Sequence, residues 1–329
     1  SWYQGILDNP LTSGEETYQV TIEEGDSFIS IINELEEEGV VKNASAIQLH
    51  LRLNDLNPGI KFGEYTIKSS YSLEKLIEVF QEGTLKPGVT ITFQEGLRYE
   101  EMARLIQDES ASFPNFSQAE FLAITENPEQ SVFTEDISVF LDTYKPTGNS
   151  LRGFLYPDTY EFGTDASAQD MIELMLANFI VKVNDGLDLN QLDLEQDNVT
   201  TLYEALTLAS IIDKEASAWD DRSDISSVFH NRLSQGITLD SDATVNFFTG
   251  KNDAGVLFSD RDTPNPYNTY QNPGLPPSPI NNPRIESIYA AFYPNNTDFL
   301  FFYHTPDGQT FFNENFSGHQ QGVCRDLGC

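Results

Sequence analysis

Apolar residues recur at three- and four-residue intervals in several stretches of the chain, and each such stretch predicts a helix with one core-facing side. Phe28, Ile31, Ile32 and Leu35 form the first stripe, with Asp26 or Ser27 as N-cap and Gly39 as terminator. Further helices are predicted over 45–53, over 72–81 (capped by Ser72, closed by Gly83), and over 99–107. Others follow over 117–125 behind Ser117, over 168–184, and over 285–292. Strict alternation predicts strands over 18–22 and 63–67, and a hairpin of 299–304 with 310–312 around Asp307-Gly308. Val40-Val41 and the aromatic run 153–162 read as extended.

These elements set an organisation. Residues 1–17 are polar, with Gly, Pro and Ser, and read as a tether. Residues 18–88 hold short strands and amphipathic helices, a small αβ module. Residues 89–329 make a larger mixed domain, so the fold class is α+β. The pattern of 20–25, V-T-I-E-E-G, echoes at 91–96, I-T-F-Q-E-G, again before a helix. The echo reads equally as a duplicated edge or as a common strand–turn–helix junction. Residues 108–150 read as short helices and loops, and 185–200 as an acidic surface loop. Between 265 and 283 the proline density leaves no room for a regular element. That loop presents Asn and Tyr side chains from a stiff backbone. It suits either a carbohydrate surface or a structural crossover.

Length and composition narrow the class. At 329 residues, 39% hydrophobic, with 23 Phe and 14 Tyr, the chain can bury a sizeable core, and two domains are expected. Its 52 acidic against 18 basic residues give a net charge of −34. Such a surface repels nucleic acid and anionic membranes, so nucleic acid is excluded as a partner. The two cysteines, Cys324 and Cys329, leave a terminal disulfide loop and free thiols both open. No apolar run reaches the ~18 residues of a membrane span. A chain that starts at Ser1 without Met is expected to have lost a signal peptide or an anchor.

Chemistry centres on residues 206–245, read as a helix, a turn, a second helix and a loop. Glu215 follows Leu208, Ile211 and Ile212 by seven, four and three positions, in line with a core stripe. Burial would raise its pKa and keep its proton near neutrality, as a general acid requires. The plainer alternative is an acid in water at the helix edge. Metal, nucleophilic-serine, phosphate-loop and dinucleotide signatures are absent, and no cofactor is expected. Asp213, two residues away, points elsewhere on a helix. Asp240 and Asp242, read as loop residues, are the candidates for a second carboxylate in a two-acid glycosidase.

Six blocks then carry a resemblance that spans about residues 18 to 322. They are ITFQEG (91–96), GFLYPDTYEF (153–162), LASIIDKEAS (208–217), VFHNRLSQGITLDSDATV (228–245), NPYNTYQNPGLPPSPINNP (265–283) and FFNENFSGHQ (311–320). In order and at compatible spacing, they make the chain resemble the endolytic murein transglycosylase family, MltG or YceG-like. The resemblance implies a LysM-like module over 18–88 ahead of the catalytic domain. It implies an anchor in the cell membrane by a single N-terminal span absent from this sequence, with the domain facing the cell wall. The substrate implied is nascent peptidoglycan, and cell-wall synthesis machinery is an expected partner. The MurNAc–GlcNAc β-1,4 bond would be cleaved without water, leaving a 1,6-anhydroMurNAc end. Glu215 matches the second acid of the family's E-K-E-T-like motif, as general acid and then base. Asn268, Tyr270, Asp242 and Asp240 fall in family motifs as candidate sugar-binding or acid-orienting residues, with fixing the loop as the other role. Arg222, Asn231 and Arg232 read as structural. The chain departs from the family's usual pattern at Arg152, Asp213, Asp240 and Thr310. Two other functions stay open: a peptidoglycan hydrolase that uses water with a partner Asp, and a wall-binding or scaffold module without catalysis.

Overall fold

Period-two spacing places Val20 and Ile22 inside and Thr17, Gln19 and Thr21 outside on β1 (Thr17–Ile22). In the computed structural model, which describes residues 17–23, 26–54, 56, 58–83, 88–187, 199–216, 221–251 and 255–328, β1 pairs antiparallel with β2 (Gly63–Lys68). Val20 lies opposite Tyr65. α1 (Phe28–Glu37) starts at Ser27, whose hydroxyl accepts the Ser30 N–H while the Ser30 hydroxyl accepts the Ser27 N–H. α2 (Ala44–Leu53) and α3 (Leu73–Glu82) complete this unit, α3 being capped by Ser72. Its core is built from the expected helix stripes together with Tyr65, Ile67 and Phe80. Val40 and Val41 are not extended. Both amides fold back onto the Leu35 carbonyl, at 2.8 and 3.0 Å, which satisfies the end of α1 and turns both side chains into the core. The tether (apart from Thr17), Gly25 and most of the 185–200 loop lie outside the described residues.

The chain divides between Gly88 and Val89 into two compact units. The second begins with β3 (Gly88–Thr92), α4 (Tyr99–Asp108), α5 (Gln118–Glu126), α6 (Glu135–Tyr144), β4 (Thr159–Gly163) and α7 (Ala168–Gly186). β3 pairs with β4, and the strand, Gly turn and helix expected around 91–96 follow in that order. Gly96 turns the chain at φ +72°, its N–H donating to the Asn282 carbonyl at 3.2 Å. Residues 153–156 are turns rather than a strand. Gly153 sits at φ +91°, where a Cβ would meet Pro279 Cγ at 2.8 Å. The Asn282 side-chain oxygen takes the Gly153 and Leu155 amides at 2.9 and 3.2 Å, in place of a ladder partner.

The rest of the unit is α8 (Leu202–Glu215), α9 (Arg222–Ser234), α10 (Asp242–Thr249), α11 (Phe258–Arg261), α12 (Ile285–Phe292), the hairpin β5 (Phe301–His304)/β6 (Thr310–Asn313), and α13 (Phe316–Asp326). The tail thus carries a helix that periodicity did not single out, capped by the Asn315 side chain. Cys324 is disulfide-bonded; Cys329 lies outside the described residues. α8 is the axis of this core. Leu206, Leu208, Ala209, Ile211 and Ile212 are fully buried, so the helix is covered on all sides, chiefly by α12, α9 and α10. The buried Thr207 and Ser210 hydroxyls donate to carbonyls one turn back. No described helix is long and apolar enough to cross a membrane.

Candidate active site

A fully buried helix is an expensive place for a carboxylate, and α8 carries two near its C-terminal end. Asp213 is neutralised on the spot: its Oδ1 accepts from Arg284 Nε at 3.0 Å and from Ser287 Oγ at 2.6 Å. That face of α8 belongs to α12, so Asp213 cannot serve the opposite side. Glu215, the last residue of the helix, points into a cavity of about 740 Å³. Part of its surface stays open to that cavity, while protein packs closely around the rest.

The surroundings of Glu215 set its protonation. Desolvation pushes its pKa up and dominates. Ser241 Oγ donates to Oε1 at 2.5 Å and pulls the other way. The nearby Asp242 charge adds to the rise, while the Ala243 amide and Arg232 oppose it. The C-terminal end of α8 also disfavours a negative charge. The net direction is upward, so the carboxyl keeps its proton to higher pH than an ordinary glutamate. Ser241 and Ala243 belong to the start of α10, whose free amides suit the anion once the proton has left.

The other candidate residues separate into two groups. Asp242, Tyr270 and Asp240 line the same cavity as Glu215; Asn268 does not. Asp242 opens α10 rather than lying in a loop; Ser241 holds the N-cap position but gives its hydroxyl to Glu215 instead of to the helix. Its Oδ1 accepts from Tyr270 Oη at 2.6 Å and from Arg261 Nη2 at 2.9 Å, and the Arg261 guanidinium lies 4.5 Å over the Tyr270 ring. Burial first, then this bond to Asp242, push the Tyr270 phenol up. Asp240 does lie in a loop, in the left-handed region at φ +54°, which Asp tolerates. It accepts from Arg232 Nη1 at 3.0 Å and from Thr238 Oγ1 at 2.7 Å. Asn268 is fully buried, and all its side-chain bonds run to backbone. It donates to the Arg261 and Thr263 carbonyls and accepts the Tyr270 N–H. Asn231 and Arg232 likewise hold backbone, at Thr297, Phe299 and Leu300, and Arg222 holds Ser287.

The Pro-rich loop is fastened to the helix that bears Glu215. The Ile280 amide donates to Ser210 Oγ at 3.0 Å, and Asn281 Nδ2 donates to the Ser210 carbonyl at 2.7 Å. Asn282 ties the next residue to Leu97, Gly153 and Leu155. Tyr270, Ile280 and Asn281 of this loop line the cavity.

Sequence reasoning missed several lining residues. Ser241, in direct contact with Glu215, stood inside the TLDSDATV run; its place before a helix start was the available signal. His304 lines the cavity from β5, its Nδ1 3.0 Å from the Oγ1 of its cross-strand partner Thr310. Thr310 in turn hydrogen-bonds the Asp221 carboxylate. Burial holds the His304 pKa down. Phe301, Phe302 and Phe316 add an aromatic side to the cavity, and period-two alternation could not assign it. Among the described residues no cluster of His, Cys, Asp or Glu has the makings of a metal site.

Comparison with known proteins adds the following. Residues 20–325 match the model of the YceG-like family. The endolytic murein transglycosylase of Bacillus subtilis is 29% identical over 325 residues, covering 97% of this chain and 87% of that protein. The endolytic murein transglycosylase of Streptococcus pneumoniae is 27% identical over 347 residues, and this chain spans 62% of its length. A crystal structure of a YceG-like protein from Listeria monocytogenes has 31% sequence identity and a TM-score of 0.58, covering 94% of this chain and 99% of that one.

Proposed function

The chain belongs to the YceG-like family, and from that premise we propose that it is an endolytic peptidoglycan lytic transglycosylase with Glu215 as its single acid and base. One observation carries the reading. Glu215 is a carboxyl whose pKa desolvation raises, facing a cavity from the end of a buried helix. The two other carboxylates of that cavity, Asp240 and Asp242, are each engaged by an arginine.

The chemistry follows from that inventory. The Glu215 proton passes to the glycosidic oxygen as the bond from MurNAc C1 to the GlcNAc O4 breaks. The resulting carboxylate is held by Ser241 and the Ala243 amide. It then takes the proton of the MurNAc C6 hydroxyl as that oxygen bonds to C1. One proton leaves Glu215, one returns, and no water is consumed. An intramolecular hydroxyl is already at high effective concentration, so no second carboxylate is needed to activate a nucleophile. Tyr270, Asp242 and Asp240 are the proposed sugar contacts and orienting groups; Asn268 fixes the loop that presents Tyr270. In this reading the 18–88 unit is a LysM-like module that positions the catalytic unit on its substrate. An N-terminal span outside this sequence holds the protein in the cell membrane facing the wall, beside the wall-synthesis machinery.

The test is the mass of the product. Purified peptidoglycan strands are digested and the new ends are weighed. A 1,6-anhydro end, lighter than a reducing end by one water, supports the proposal. A reducing end makes the chain a hydrolase. No release by wild type makes it a binding module, and equal release by Glu215→Gln overturns the role given to Glu215.

A further inference from the structure

The cavity differs in charge from the chain that surrounds it. The whole sequence carries 18 Lys and Arg against 52 Asp and Glu. The cavity lining carries four basic side chains, Arg98, Lys214, Arg232 and Arg261, against three carboxyls, Glu215, Asp240 and Asp242. The lining thus has more cations than carboxyls in a chain that is strongly acidic as a whole.

Three of those cations have structural work. Arg98 donates to the carbonyls of Asn246, Phe247 and Lys251. Arg232 holds Asp240 and three carbonyls, and Arg261 holds Asp242. Lys214 is the exception. It is exposed, it lines the cavity next to Glu215, and among the described residues it makes no ion pair or hydrogen bond. Its ammonium lies over Gly96, where a Cβ would stand 3.3 Å from Nζ. Asp213 Oδ2 would stand 3.1 Å from the same Cβ, but Asp213 is paired through Oδ1 with Arg284 at 3.0 Å. Among the described residues no carboxylate comes within ion-pair distance of the Lys214 ammonium, which leaves it open to an anion that arrives from outside.

The proposed substrate supplies one. The sugar rings of peptidoglycan are neutral. Its negative charge sits on the stem peptide, attached through the lactyl ether at O3 of MurNAc, on the same ring whose C1 would react. Lys214 lines the same cavity as that proton donor, so a carboxylate of the stem can meet it there. We infer that Lys214 binds a stem-peptide carboxylate, so that the site selects peptide-bearing glycan over strands stripped of their peptides. The inference rests on the reading of the cavity as a peptidoglycan site, and its test is independent of turnover.

The experiment uses the full chain with Glu215→Gln, which removes cleavage and keeps the side-chain shape. Calorimetry compares a tetrasaccharide carrying stem peptides with the same tetrasaccharide stripped by an amidase. The peptide-bearing ligand is expected to bind roughly two- to fivefold tighter, the upper range of an exposed ion pair. Adding Lys214→Gln should bring the two affinities together, and Lys214→Arg should keep them apart. Raising the ionic strength should shrink the difference in the Lys214 protein alone. Because Lys214 is exposed, the substitution does not threaten folding. Equal binding of both ligands before Lys214 is changed, or an unchanged ratio after it, overturns the inference. The product mass of wild type decides the transglycosylase reading separately.

Discussion

Replacing Ser241 with alanine tests the electrostatics of Glu215 with little else disturbed. The hydroxyl donates to Glu215 Oε1 at 2.5 Å. Both backbone bonds of Ser241, from its N–H to Thr269 Oγ1 and from Thr244 Oγ1 to its carbonyl, survive the change. A hydrogen bond to a charged group contributes about 1.5–3 kcal/mol. Donation favours the ionised form, so its loss leaves the carboxylate less stable and the proton more tightly held. The alkaline limb of the kcat profile, where the general acid is lost, should therefore move to higher pH. Proton transfer in the transition state develops part of that charge. If half is realised, the plateau falls by about 3- to 13-fold, from ~0.75–1.5 kcal/mol at 1.36 kcal/mol per decade. The assay is chromatographic release of strand ends from peptidoglycan across the pH range. A limb that stays in place or moves to lower pH would refute the assignment of Glu215 as the titrating acid under Ser241's control.

Asp242→Asn should do the opposite: removing a charge that helps to raise Glu215 moves the same alkaline limb to lower pH. Glu215→Gln should stabilise the protein in alkali while ending catalysis. A carboxyl whose folded pKa is raised contributes stability below its unfolded pKa and loses it as pH rises through the folded value. Tm of the variant should thus exceed wild type at pH 8, by about 2–4 °C per kcal/mol relieved, and the gain should vanish in acid. Asn282→Ala strands the buried amides of Gly153 and Leu155, while the Leu97 carbonyl keeps the Asn282 N–H, and should destabilise by roughly 3 kcal/mol in urea denaturation.

Local pattern read the elements well where a side chain decides a cap or a stripe decides a face. Ser27, Ser72 and Ser117 each cap a helix through their own hydroxyls. The pattern misjudged segments whose partners are distant. Gly153–Leu155 looked extended because its aromatic run suits a strand; it turns because Asn282, far along the chain, takes its amides. Val40 and Val41 have strand-forming side chains, yet they close the end of α1. The same division holds at the site. Glu215 stood out by its place on an apolar stripe, and the rigid loop by its prolines. Ser241, His304 and Lys214 are ordinary residues in sequence; only folding brings them to one cavity. Asn268 falls in a family motif, which makes it a candidate sugar ligand or a residue that fixes the loop; its side-chain hydrogen bonds all go to backbone, at Arg261, Thr263 and Tyr270.

The central claim is that one carboxyl, Glu215, acts twice and that no water enters the product. Digestion of peptidoglycan in ¹⁸O-labelled water, followed by mass spectrometry of the new ends, measures this directly. The account predicts unlabelled 1,6-anhydro ends from wild type and none from Glu215→Gln. Reducing ends that carry ¹⁸O, or anhydro ends formed at the wild-type rate by Glu215→Gln, would contradict it.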